Sequence, residues 1–146
     1  MLIPLPIGLW VFSLVADIIY RAGGAPVWDD VAYYTLAGGI VGALLAAVPG
    51  FLDYVTLPRS RARQLATTHM TLNLTIVVLQ AIDFFLRSRE LPGATAPFVL
   101  SLISVAVLMV SGWLGWEMVY RYGVGVHPGV MIEIREQRRE KGRGAA

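Results

Sequence analysis

The chain has 146 residues, of which 56% are apolar and 15% charged, with a formal net charge of +2. A membrane span takes ~20 apolar residues, so this is material for about four spans, and it argues against a soluble enzyme, a disordered chain or a nucleic-acid-binding module. The absence of cysteine excludes disulfides, thiolate zinc sites, iron–sulfur clusters and covalently attached haem.

The first apolar stretch covers about residues 2–20. Pro4 and Pro6 stand in its first turns, where a missing N–H costs least. No Lys or Arg precedes it, and the first cation, Arg21, follows it. It therefore reads as a retained span and not as a cleaved signal peptide. Pro6, Trp10, Ser13 and Asp17 share one face of this helix.

The second stretch, 31–54, follows a break containing Gly23, Gly24 and Pro26. Gly38, Gly42, Ala46 and Gly50 recur every fourth residue, with Gly39, Ala43 and Ala47 beside them. Such a small-residue ridge lets another helix approach closely, from the same chain or from a second one. Asp53 continues near the same face.

In the third stretch, 65–86, His69, Asn73, Gln80 and Asp83 fall within about 80° of one another on a helix, and Ile76 completes that face. Polar side chains on a span are expected to face the bundle interior. They read either as glue between helices or as a proton path, an ion path or a cofactor site. The fourth stretch, 97–122, gathers Ser101, Ser104, Ser111, Gly112 and Gly115 on one side. Trp113, Trp116 and Tyr120 lie on another, as an interfacial aromatic belt.

Unpaired backbone is excluded from lipid, so each stretch is predicted to be helical. The fold class that follows is an all-α, integral membrane, antiparallel four-helix bundle with an up-down-up-down order. Both termini are expected in the cytoplasm: that side carries nine cations (Arg59, Arg61, Arg63, Arg121 and five in the tail), against Arg21, Arg87 and Arg89 on the other. Two regions result. Residues 1–126 form the membrane domain. Residues 127–146 form a basic cytoplasmic tail, which holds the entire net charge of +2 because the rest of the chain sums to zero.

Three acids stand four residues before an arginine near the end of a span: Asp17 with Arg21, Asp83 with Arg87, and Glu117 with Arg121. This spacing and order suit local ion pairs. The topology predicts a polar cluster at each mouth of the bundle, Asp17 with Asp83 at one and Asp53, His69 and Glu117 at the other. Gln80 and Asn73 are expected to join them. If Arg21 and Arg87 turn inward, the first cluster is a structural salt-bridge network. If they turn to solvent, it is a proton-binding site. No Ser-His-Asp set, phosphate-binding loop or histidine pair at ligand spacing is present. His69 is the candidate cofactor ligand, with His127 as a conceivable partner for a haem b.

Several segments resemble the bacterial domain-of-unknown-function family numbered 2231. They are Met1 to Trp10 with Asp17, Gly50-x-x-Asp53-Tyr54, His69-x-x-x-Asn73, and Ser111-Gly-Trp-Leu-Gly-Trp-Glu117 running into Tyr120-Arg-Tyr-Gly-Val-Gly-Val126. The resemblance spans about residues 1–126 and implies a small four-helix inner-membrane protein. Members of that family commonly carry a His-Pro-x-His-Pro motif just before Met-Leu-Ile-Pro, the residues at which this sequence starts. A histidine-based cofactor site that used the motif is not expected to be complete here. Trp116 stands where the family has a glycine, which favours the aromatic belt over close packing.

The leading expectation is a non-enzymatic membrane subunit or scaffold, packing through its small-residue faces against a second copy or a membrane redox partner. The alternatives are a haem b-binding redox subunit, and a proton or small-ion pathway along the third span. Nucleic acid is not an expected partner; the lipid bilayer is.

Overall fold

The computed structural model describes residues 3–89 and 94–125. Its elements are four helices, α1 (Pro4–Arg21), α2 (Val27–Thr56), α3 (Arg61–Arg87) and α4 (Thr95–Tyr122), with no strand among the described residues. All four are long and apolar enough to cross a membrane. Each packs on two neighbours in a closed ring, and the hairpins α1–α2 and α3–α4 make the closest pairs. The end carrying Pro4, Thr56, Arg61 and Tyr122 is called proximal below, and the end carrying Arg21, Val27, Arg87 and Thr95 distal. The tail 127–146, with His127, and the connection 90–93 lie outside the described residues.

α2 and α3 start four residues before the apolar stretches, and polar groups stabilise the helix ends. Asp29 and Asp30 occupy the first turn of α2, where carboxylates complement the helix dipole. Ser60 caps α3, its hydroxyl accepting from the Arg63 N–H at 3.4 Å. Gly123 ends α4 at φ 64°, a left-handed conformation that favours glycine. α2 continues through Pro49, which cannot donate to the Leu45 carbonyl.

The packing seam is legible in the spacing. On α3, positions 69, 73, 76, 80, 83 and 87 alternate steps of four and three residues, the repeat of a left-handed bundle. The polar stripe is therefore the seam itself, and Ile76, Gln80 and Asp83 are buried on it. Pro97, Ser101, Ser104, Leu108, Ser111 and Met118 are the buried residues of α4. One side chain from each helix, Trp10, Leu36, Ile76 and Leu108, forms the apolar core at mid-depth. Trp10 fits there because α2 carries Gly39: a Cβ at that position would collide with the indole Cδ1 and Nε1.

The lipid-facing side of α3 is rich in threonine, and each hydroxyl is satisfied by its own helix. Thr67, Thr68, Thr71 and Thr75 donate to the carbonyls of Arg63, Gln64, Thr67 and Thr71. A span can carry these residues without exposing an unpaired polar group to lipid.

Candidate functional site

The polar side chains on the seam sort into two layers. In the distal layer Arg87 is central. Its Nη1 and Nη2 grip Asp17 of α1 with two hydrogen bonds, at 2.8 and 2.6 Å. Its Nε donates to Asp83 Oδ1 at 2.8 Å. Ser101 of α4 donates to Asp83 Oδ2 at 2.7 Å. The four carboxylate oxygens are thus all engaged, and three helices are tied together. This forked geometry is particular to arginine, whose planar donors match carboxylates in pairs.

Of the three acid–arginine pairs at four-residue spacing, Asp83–Arg87 and Glu117–Arg121 form, the latter at 2.8 Å on a largely exposed arginine. Asp17, in contrast, gives both oxygens to Arg87. Arg21 reaches instead to the carbonyl of Ala94 and lies over the ring of Phe98. The reason is register: the last turns of α1 and α3 stand at the same distal level on opposite corners of the ring, so the long Arg87 side chain reaches across the bundle to Asp17 while its Nε stays on Asp83.

The second turn inward from the distal end holds a further polar set. Ser13 donates to the Ala32 carbonyl at 2.8 Å and so links α1 to α2. Gln80 and Ser104 are buried there too, and Gln80 Oε1 and Ser104 Oγ have no partner. Trp10 Nε1, one layer deeper, is also unpartnered. Buried polar atoms without partners are few in folded proteins.

The proximal layer is built on His69, Asn73 and Ser111. His69 Nδ1 lies 2.9 Å from the Ser111 carbonyl and 3.1 Å from its hydroxyl. The carbonyl can only accept, so Nδ1 carries the proton and Nε2 is left as a bare acceptor. Asn73 donates to the Ser111 hydroxyl at 2.8 Å and to the His69 carbonyl at 2.7 Å. Gly115 allows the close approach, since a Cβ there would come within 3.2 Å of His69 Cε1. Among the described residues, no three His, Cys, Asp or Glu side chains gather as a metal site.

Asp53 and Glu117 do not join this layer through any bond described above. Asp53 is exposed, and its carboxylate lies towards Gly125. Glu117 is committed to Arg121. Nor are the two layers continuous: Ile76, Trp10, Leu36 and Leu108 stand between Gln80 and Asn73. The inward turn of Arg87 onto Asp17 and Asp83 is one of the two arrangements that the sequence leaves open; the contacts of Ser101 with Asp83 and of Ser111 with His69 and Asn73 join different helices, and no spacing within one helix gives them.

The predicted packing ridge divides in two. Gly38, Gly39 and Gly42 lie against α1, facing Leu9, Trp10, and Leu5 with Pro6. Ala46 is only half-buried, and Gly50 has nothing within 4 Å of where its Cβ would be.

A family model described as a predicted membrane protein (DUF2231) matches residues 1–128. No curated protein and no solved structure matches the chain.

Proposed function

The chain belongs to the DUF2231 family of predicted membrane proteins, and we propose that it serves there as a non-enzymatic membrane subunit or scaffold. The observation behind this reading is the division of the α2 ridge. Its distal half is filled by α1, whereas Gly50 is open and is flanked by exposed Val48, Phe51 and Leu52. Small residues give lipid little to hold but let a second helix come close. The partner is another membrane helix, from a second copy or from a redox protein.

The orientation that goes with this reading puts both termini in the cytoplasm of a bacterial inner membrane. The arginines support it. Arg59, Arg61 and Arg121 are exposed at the proximal end, Arg121 beside Glu117, against Arg21 and Arg89 at the distal end, where Arg87 is consumed by two carboxylates.

Because the chain has no cysteine, Gly50→Cys provides a single reporter thiol. Oxidative or bis-maleimide crosslinking in native membranes is expected to give a defined higher-mass product at Gly50→Cys and none at Val99→Cys on α4. Monomer alone at both positions would count against the reading.

The second reading, a haem b-binding redox subunit, is favoured by one feature. His69 offers a bare Nε2 while a backbone carbonyl fixes its Nδ1–H, as histidine ligands usually do. Haem bound there would supply one-electron chemistry, and His69 would hold it through Nε2. The absorbance spectrum of the solubilised protein tests this: the reading requires a Soret band that disappears in His69→Ala. The third, a proton or ion path, is less well supported because the apolar layer interrupts the stripe.

A further inference from the structure

The distal layer carries an unbalanced charge. Asp17 and Asp83 are both ion-paired to one arginine, so with both carboxylates ionised the set sums to −1. All three groups are withdrawn from solvent: the Arg87 side chain is 9% exposed, Asp17 5% and Asp83 0%. A net charge held inside a membrane bundle is costly unless something balances it. Arg21, the other cation nearby, is an exposed residue directed to Ala94 and Phe98.

A second observation is independent of the charge. Ser101 touches Asp83 at 2.7 Å, and α3 and α4 run antiparallel. Gln80 precedes Asp83 by three residues, and Ser104 follows Ser101 by three. Both steps go one turn deeper, about 4.5 Å, and bring Gln80 and Ser104 to the same level on facing seams. Their oxygens, Gln80 Oε1 and Ser104 Oγ, are the unpartnered ones, on residues 1% and 0% exposed. Ser13, four residues before Asp17 on α1, reaches this level too. Its hydroxyl proton goes to the Ala32 carbonyl, which leaves its lone pairs for another group.

We propose that the level below the Arg87 salt bridges is a binding site for one small monovalent cation, with Gln80, Ser104, Ser13 and Asp83 as its oxygen donors. Hard cations take oxygen ligands of this kind. One positive charge brings the layer to neutrality, whereas a divalent ion would leave it at +1. A water molecule would satisfy the two orphaned oxygens but not the charge. Trp10 Nε1 is a donor set against Gly39, so it takes no part in holding the ion. The site is independent of the scaffold reading and concerns the opposite end of the bundle.

The test uses the full chain in detergent, with sodium chloride compared with choline chloride at equal ionic strength and tryptophan fluorescence as the unfolding signal. Sodium is expected to raise the midpoint by about 5 °C, the scale of a ligand held well above its dissociation constant. Ser104→Ala and Gln80→Met each remove one donor at little change in packing. They are expected to abolish most of the sodium response, and the midpoint in choline is expected to hold or rise, because each replacement removes a buried oxygen that lacks a partner when no ion is bound. Equal midpoints for the wild type in sodium and choline overturn the proposal, whatever the variants do. So does a sodium response that persists in full in both variants. A midpoint that rises on acidification but ignores sodium assigns the missing charge to a proton and overturns it as well.

Discussion

At the scale of single residues, Arg87 is the most consequential position. Removing it leaves the buried carboxylates of Asp17 and Asp83 without the arginine that pairs with both. Breaking a buried ion pair from one side costs about 3–5 kcal/mol, and Arg87→Ala is expected to lose at least that in denaturation measurements, or to fail to accumulate in membranes. Arg87→Lys keeps the charge but cannot reproduce the forked contact with Asp17 together with the Nε contact to Asp83. It is expected to fall between the wild type and Arg87→Ala. The proximal layer is held by weaker bonds. Asn73→Leu removes the donor to the Ser111 hydroxyl, and interhelical hydrogen bonds of this kind contribute on the order of 1 kcal/mol or less. A loss well above that would mean that Asn73 has a role beyond joining α3 to α4.

At the scale of helices, the α1–α2 contact depends on glycine at one position more than at the others. Gly39→Ala puts a methyl group into the indole of Trp10, and overpacking of this kind costs about 1–3 kcal/mol. Gly50→Ala meets nothing within 4 Å. In the isolated chain it should be neutral or slightly stabilising, because alanine is the better helix former by ~1 kcal/mol. Thermal unfolding of the two variants in detergent separates the cases, and similar losses at both positions would show that Gly50 is already covered. The spacing of small residues on α2 was legible in the sequence. Which half of the ridge packs within the chain was not, because that depends on where α1 lies along α2. The α3 stripe was likewise legible as one polar face. Its division into two layers follows from Ile76 meeting Trp10, Leu36 and Leu108, each from a different helix.

At the scale of the whole molecule, orientation makes the most direct prediction. If both termini are cytoplasmic, Ala25→Cys at the distal turn reacts with a membrane-impermeant maleimide in intact cells, and Pro58→Cys at the proximal turn reacts only after permeabilisation. The reverse pattern would invert the topology and leave the fold intact, since the bundle itself carries no net charge. The same architecture bears on transport. A proton or ion entering from the distal end meets Arg87 first, and then the apolar layer between Gln80 and Asn73. Flux through reconstituted vesicles is therefore expected to match the empty-vesicle level.

The number of spans, their approximate limits and the antiparallel order can be read from the sequence, as can the inward faces of α1, α3 and α4. These follow from local quantities: the length of apolar runs, the residues that can end a helix, and the angular spacing of side chains. The sequence also marked Asp17, Gln80, Asp83, His69 and Asn73 as residues of the interior. Which of them meet depends on how the helices pack. Asp17 and Arg87 lie 70 positions apart in the chain, and their pairing depends on the register of α1 against α3. Contacts between helices are set by axial offset and packing at the seam, which no periodicity within a single helix encodes. For the same reason the orphaned oxygens of Gln80 and Ser104 became apparent only once the two seams were brought to one level.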